Sequence, residues 1–311
     1  MMKEISLHDC RSAMTISVFV KAPHFSKTLK LYVFIGITVL CWGYSPIGVH
    51  RALDSYSPQH IALLRFLIAS LFLFLLVLKK GIQPVRWNDL PRFGMLGLFS
   101  VTIHHLLINI GQQYVTAVAS SILSQSIPLF TVLISAFLLK EQIRVVQWSC
   151  IVLGLCGAIL VISGDHGFSL PNAHSLLILC AAIAWGIYFN LYKRFALEYD
   201  TVSMMCYVIW LGTLPLLCYS PHLYTSVLHA TWQANLSVVL LGLFPSALAY
   251  LLWAEVLRNM PLTLASNFLY VTPIVAISLA MLFLGERPSW IILFGGMMIV
   301  ASIVWMNKSN R

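Results

Sequence analysis

The chain has 311 residues, of which 59% are hydrophobic and 9% are Asp, Glu, Lys or Arg, with a formal net charge of +9. An ordinary soluble domain covers its surface with about 25% charged residues, so a soluble enzyme, a disordered chain and a nucleic-acid-binding domain all fit poorly. The composition describes a polytopic membrane protein whose basic residues serve topology rather than nucleic acid.

In chain order, residues 1–30 read as a flexible basic cytoplasmic tail. The apolar stretch Thr15–Val20 is too short for a signal-peptide core, Glu4 and Asp9 argue against a transit peptide, and Met14 is an alternative start. A spanning helix needs roughly 20 predominantly apolar residues to cross about 30 Å of hydrocarbon. Ten segments qualify: Leu31–Val49, His60–Leu78, Arg92–Gly111, Thr116–Leu139, Val146–Ser163, His174–Tyr192, Val202–Tyr219, Leu236–Leu257, Leu262–Leu284 and Trp290–Met306. Residues 307–311 form a short cytoplasmic end. The longest connection between segments, near Ser220–Ala234, leaves no room for a soluble active site. Seven cysteines without a CxxC pair give neither a disulfide framework nor a zinc site.

With the N-terminus in the cytoplasm, sixteen of the nineteen Lys and Arg fall on the cytoplasmic side. Arg51 and Arg287 lie opposite, and Arg65 sits within the second segment. This asymmetry orients the chain with both termini inside.

The chain also repeats itself. Gly97-Leu98-Phe99 recurs as Gly242-Leu243-Phe244, and the same offset of 145 places Pro128 on Pro273 and Glu141 on Glu286. Trp42-Gly43 pairs with Trp185-Gly186 at an offset of 143. Five helices per unit is an odd number, so the second copy is expected to sit upside down relative to the first, as in many secondary transporters.

These residues carry a family resemblance. The Trp42-Gly43 pair, the Ala62-Leu63-Leu64-Arg65-Phe66 run, and the proline-centred fourth and ninth segments ending in Leu138-Leu139-Lys140-Glu141 and Phe283-Leu284-Gly285-Glu286 resemble the drug/metabolite transporter superfamily, EamA type. The fold that follows is an all-α integral membrane protein. Its ten transmembrane helices form two inverted five-helix EamA repeats, residues 31–163 (helices 1–5) and 174–306 (helices 6–10), around a central cavity. The resemblance implies a carrier whose cavity is lined chiefly by helices 1, 3, 4, 6, 8 and 9. Arg65 departs from the symmetry, because the offset of 143 places Val208 opposite it.

Several residues are candidates for that cavity. A proline inside a helix cannot bond the carbonyl four residues earlier, so Pro128 and Pro273 read as paired hinges, with a packing kink as the alternative. Thr102, His105, Asn109 and Gln112 share one face of the third helix, as a substrate-binding wall or as interhelical glue. His104 points about 100° from His105, which makes the pair a poor metal site, and no metal is expected. Ser121, Ser124, Thr131 and Ser135 accompany Pro128 on the fourth helix, with Gln125 beside them, and Thr263, Asn267 and Tyr270 share a face of the ninth. Trp42, Trp185, Tyr188, Tyr192, Tyr250 and Trp253 supply aromatic walls, although Tyr192 also suits interfacial anchoring. Two charges stand apart. Glu255 suits a local pair with Arg258 or a gating role, and Arg65 could snorkel to Asp54 or steer an anionic group.

The function expected is secondary transport of a small organic metabolite, amino-acid-like or otherwise polar or aromatic, by alternating access at the repeat interface. An intramembrane enzyme is the competing class, but no aspartate lies in a membrane core and no HExxH, GxSxG or P-loop is present. A structural or sensory membrane protein is the other. The expectation includes no cofactor, uniport or exchange rather than proton coupling, and a multi-pass location in the plasma membrane, the inner membrane in a bacterium. The partners are the lipid bilayer and a small-molecule substrate, with a homodimer left open and no nucleic acid.

Overall fold

The computed structural model describes residues 22–138, 140, 142–166, 173–195, 198–260, 265 and 268–309. Every regular element among them is helical. Helix α1 (Ala22–Ala52) starts ahead of Leu31, so the helix takes in the end of the basic stretch. Helix α2 spans Pro58–Lys80. The third segment is α3 (Leu90–Gly97), a π-helical turn over Leu98–Ile103, and α4 (His104–Gly111). The fourth is divided into α5 (Ala117–Ser124) and α6 (Ile127–Leu138). Then come α7 (Val145–His166), α8 (Ala173–Phe195) and α9 (Thr201–Thr213). A short α10 (Leu223–His229) precedes the eighth segment, which is α11 (Trp232–Leu241), a second π-helical turn over Gly242–Leu248, and α12 (Ala249–Asn259). The chain ends with α13 (Thr272–Phe283) and α14 (Trp290–Ser309).

Among the described residues, nine helical stretches are long and apolar enough to cross a membrane. They match nine of the ten expected segments. In the remaining one, Leu262–Leu284, the described part is the shorter apolar helix α13, and residues 261–264 and 266–267 lie outside the described residues. Large apolar side chains such as Leu40, Leu71, Phe137 and Ile159 are exposed on the outside of the bundle. In water such a surface would be an aggregation patch, whereas hydrocarbon takes it at no cost.

Helix starts follow local chemistry. Ser57 accepts the His60 N–H at 3.2 Å ahead of Pro58, and Thr231 accepts the Ala234 N–H at 3.3 Å. Asp200 accepts the Val202 and Ser203 N–H groups at 3.0 Å each. Partial burial opposes its charge, but hydrogen bonds from Ser203 and Val202 outweigh that and hold the carboxyl below the usual carboxylate range. Helix α5 is capped twice. Thr116 Oγ1 accepts the Ala119 N–H at 3.2 Å, and Glu286 reaches across from the loop after α13 to accept the Ala117 and Val118 N–H groups at 2.8 and 2.9 Å. A carboxylate on the positive end of a helix is a strong arrangement, since charge-assisted bonds satisfy donors that have no partner within the helix.

The repeat is visible as geometry. The break after α5 puts a turn at Gln125 and Ser126, with Pro128 two residues on. The break before α13 puts a turn at Tyr270 and Val271, with Pro273 two residues on. The hydrogen bonds also correspond. The Ser126 N–H bonds the Leu123 carbonyl at 3.0 Å and the Val271 N–H bonds that of Phe268 at 3.1 Å. Both proline segments are therefore interrupted rather than kinked, with each proline in the first turn of a new helix. There its missing N–H costs nothing. At the far ends, Lys140 and Gly285 again correspond, both at positive φ (55° and 68°). Glycine takes that region freely, and lysine does so with strain.

Packing joins the two repeats throughout. Helix α3 lies on α9, and the π-turn at Gly242–Leu248 lies on α2. Helix α4 lies on α8 and α1 on α12. Helix α6 also lies on α8, α1 on α13, and α7 on α14. Each of these contacts has a counterpart with the roles exchanged, the last being its own counterpart. Gly97 and Gly242 mark two close approaches among these. A Cβ at Gly97 would lie 2.4 Å from the Val208 carbonyl oxygen, and one at Gly242 would lie 2.6 Å from the Cβ of Ile68.

Candidate functional site

Between the repeats lies a cavity of about 170 Å³, roomy enough for roughly a dozen waters or one small metabolite. Its walls come from the first, second, third, fourth, sixth, eighth and ninth segments. The aromatic side is a cluster of edge-to-face rings. Trp42 meets Trp185 at 6.3 Å between centroids, Tyr250 at 6.5 Å and Trp253 at 5.5 Å, and Trp185 meets Tyr250 at 5.6 Å. Such pairs fix ring orientations beyond what area burial does. Both members of the repeated Trp-Gly pair, Trp42 and Trp185, thus meet at the centre.

The π-turns supply the acceptors that hold this cluster. A π-turn lifts carbonyls out of the α ladder. Trp42 donates from Nε1 to the Pro245 carbonyl at 3.3 Å, and Tyr250 donates its hydroxyl to the Ser100 carbonyl at 3.1 Å. Ser100 and Pro245 correspond at the repeat offset, so equivalent carbonyls are engaged in both units. Because the Ser100 oxygen can only accept, the Tyr250 proton goes there, and His105 Nε2 at 3.2 Å must be the donor to the Tyr250 oxygen. In the neutral ring this leaves His105 Nδ1 a bare acceptor, and it has no partner among the described residues. His104 donates from Nδ1 to the Ala181 carbonyl at 2.8 Å by the same logic.

Of the expected site residues, Trp42, His105, Ser124, Gln125, Trp185, Tyr250 and Tyr270 line the cavity, as do Pro128 and Arg65. Asn267, like Thr263, lies outside the described residues. Thr102, Asn109 and Tyr188 are buried elsewhere. Thr102 donates to the Gly212 carbonyl at 2.6 Å, Asn109 donates to that of Pro58 at 3.2 Å, and Tyr188 packs behind Trp185 at 5.5 Å. The polar stripe is divided, with His105 and Gln112 on the cavity and Thr102 and Asn109 off it. Thr102 sits in the π-turn, where the α period of about 100° per residue does not hold. Beyond the turn the cavity-facing residues are His104, His105, Ile108 and Gln112. His104, expected to point away, is one of them.

For two charged candidates the geometry removes one of the two alternatives. Arg65 does not snorkel to Asp54. It is 1% exposed, donates from Nε to Ser246 Oγ at 2.8 Å and from Nη2 to Ser45 Oγ at 3.4 Å, and lies 5.6 Å over the Phe66 ring. No described carboxylate pairs with it. Glu255 does not pair with Arg258. Its carboxylate accepts from Thr201 Oγ1 at 2.8 Å and Asn259 Nδ2 at 2.9 Å, and it does not line the cavity. Pro273 is buried beside the cavity without lining it, and Thr272 lines it instead.

Residues not singled out in sequence include Ser45, Pro46, Pro245 and Thr272. Pro46, inside α1, could have been noticed by the same reasoning that found Pro128. Its carbonyl accepts from Gln112 Nε2 at 3.3 Å. Among the described residues no group of three or more His, Cys, Asp or Glu is placed to hold a metal ion.

The profile of the EamA-like transporter family matches residues 29–163 and 173–308. The uncharacterized transporter YdfC of Bacillus subtilis (strain 168) is 30% identical over 289 residues, covering 92% of this chain and 94% of its own. A protein of Streptantibioticus cattleyicolor named as a probable terminal-alkyne amino-acid exporter is 29% identical over 273 residues, covering 88% of this chain and 91% of its own. One solved crystal structure shares the fold with a TM-score of 0.60 at 21% identity, over 89% of this chain and 96% of the other. Two family matches in tandem, spanning nearly all of a multi-pass helical chain, place this protein in the EamA-like transporter family.

Proposed function

We propose that the chain is a secondary transporter of a small organic metabolite and works by alternating access between two inverted five-helix repeats. The observation that carries this reading is the meeting of two interrupted segments at one aromatic cavity between the repeats, with both breaks at the same repeat position. Interrupted helices near the bilayer midplane are how many carriers expose backbone groups to a solute. The exchanged-role packing of the two repeats supports the inversion, and α13 with the residues before it would make the tenth span. The name of the Streptantibioticus cattleyicolor relative supports an amino-acid-like solute. The site then lies at the repeat interface, and the membrane is the plasma membrane, the inner one in a bacterium.

The direct test is flux of radiolabelled amino acids and related monocarboxylates into proteoliposomes, compared with empty vesicles. Saturable uptake of at least one such solute is expected, and passive leak alone for all of them would overturn the reading.

Orientation has its own test. With both termini inside, Thr225 on α10 faces outward and Lys80 at the end of α2 faces the cytoplasm, and both are exposed. In a background without native cysteines, an impermeant thiol reagent should label Thr225→Cys in intact cells and leave Lys80→Cys unlabelled until lysis. The reverse pattern would invert the topology.

Coupling is expected to be uniport or exchange. Among the described residues no Asp or Glu lines the cavity, and carriers that move protons usually place an ionisable group at the binding depth. With equal solute on both sides of the vesicle and an imposed pH gradient, no uphill accumulation is expected. Accumulation that disappears in His105→Gln would make His105 a proton site instead.

A further inference from the structure

Resting on the transporter reading, we infer that Arg65 is the carboxylate-binding residue of the cavity and that His105 Nδ1 receives a hydrogen-bond donor from the same ligand. The transported class is then a monocarboxylate with an amino or hydroxyl group next to the carboxylate and an apolar or aromatic body.

Arg65 sits where a charge is least tolerated, buried within an apolar segment of a membrane protein. Intramembrane arginines of this kind ordinarily find a counter-charge in the bundle or mark a ligand pathway. Here none of the described acids reaches it. What the protein provides is a cradle. Ser246, on the second π-turn, accepts from Nε, and Ser45, on α1, accepts from Nη2. These two bonds hold the guanidinium from both repeats and leave Nη1 buried and without a partner, on a side chain that lines the cavity. A guanidinium held by one edge with its other end free fits a planar carboxylate.

The second contact lies close by. Phe66 is shared between the two groups, with the Arg65 guanidinium carbon 5.6 Å and the His105 ring 4.7 Å from its centroid. Both side chains also line the cavity, where a single ligand can meet the two. His105 Nδ1 can only accept in the neutral ring, so what it meets must donate. The wall also carries the rings of Trp42, Trp185, Tyr250 and Trp253, which suit an apolar or aromatic body.

The same inventory says what is refused. Arg65 is the only Lys, Arg, Asp or Glu on the wall among the described residues. One cation balances one carboxylate and leaves the second charge of a dicarboxylate or phosphate without a partner. An amine lacking a carboxylate meets a guanidinium and no acid. A simple monocarboxylate binds through Arg65 but leaves His105 Nδ1 unpaired, which lowers its affinity.

The test uses the full-length protein in nanodiscs, with tryptophan fluorescence reporting ligand binding at the cavity. Four probes share one body: phenylalanine, phenyllactate, 3-phenylpropionate and phenylalaninamide. Phenylalanine and phenyllactate should bind saturably, 3-phenylpropionate at least fivefold more weakly, and phenylalaninamide not at all. Arg65→Met should weaken phenylalanine at least fiftyfold while melting at or above the native temperature, and Arg65→Lys should recover part of the loss. His105→Phe should erase the preference for phenylalanine over 3-phenylpropionate while keeping carboxylate binding. The inference falls if Arg65→Met binds phenylalanine as the native protein does, if the amide binds as well as the acid, or if folded native protein binds none of the four. Flux separates the two levels. Transport of other solutes that survives in Arg65→Met keeps the transporter reading and removes this one, whereas binding by Arg65 with no flux of any solute removes the transporter reading instead.

Discussion

Gly97→Val and Gly242→Val should each strip the protein of stability, on the order of 2–3 kcal/mol, because both put a branched side chain where a neighbouring helix already stands. At Gly97 the first added carbon would lie 2.4 Å from the Val208 carbonyl oxygen and 2.6 Å from the Gly212 nitrogen. Those are backbone atoms and cannot rotate away. At Gly242 it would meet Ile68 Cβ at 2.6 Å and the Arg65 carbonyl oxygen at 2.9 Å. Relief at either site means prising α3 from α9, or the second π-turn from α2, and those crossings aim the helices at the cavity. Gly94 is the internal control, since it lies one turn earlier on α3 and nothing stands within 4 Å of a carbon added there. Thermal melting in detergent should show a marked fall for Gly97→Val and Gly242→Val, with Gly94→Val close to native. If all three melt alike, the helices do not approach as closely as described.

The second large effect is on transport. Pro128→Ala and Pro273→Ala should each reduce flux at least tenfold while the folded protein survives. Both prolines occupy the first turn of a half-helix, after the turns at Gln125–Ser126 and Tyr270–Val271. Alanine restores an N–H and lifts the ring clash, a change of about 3 kcal/mol toward continuous helix when the residue lies in a helix interior. A segment that closes over its break withdraws Gln125, Tyr270 and the nearby backbone from the cavity. It also holds the carrier in one access state. Melting temperature should hold or rise as flux falls, which separates loss of function from loss of fold. Native flux from both variants would reduce the two breaks to packing features.

How much of this was legible beforehand differs from residue to residue. Trp42 and Trp185 were found because a rare dipeptide recurs, and the recurrence reflects one structural role played twice. Pro128 and Pro273 stand out for the same reason, and what the structure adds is their place in the helix. The sequence reads each as a proline inside a helix, whereas the chain breaks before it, so the proline begins a helix rather than bending one. Glu286 stood out as a repeated glutamate at a segment end. That it caps α5 from across the bundle is a contact between residues 169 positions apart for Ala117, and no local pattern encodes it.

The third segment shows the division most clearly. Apolar content alone determined that residues 92–111 cross the membrane, because hydrocarbon demands a helix of that length with its backbone bonds closed. Which side chains face the cavity was decided by tertiary structure. Gly97 allows contact with α9, the π-turn that follows interrupts the α period, and the polar face is divided. Thr102 goes to Gly212, Asn109 to Pro58, and His104, His105 and Gln112 to the cavity. Arg65 followed the same course. Its sequence position marked it as costly, and only the Ser45 and Ser246 hydroxyls, brought together from two distant segments, fixed where its charge points. Solvation energy acts on each residue by itself and can be summed along a sequence. Orientation depends on which neighbours arrive, and those neighbours exist only once the two repeats have packed.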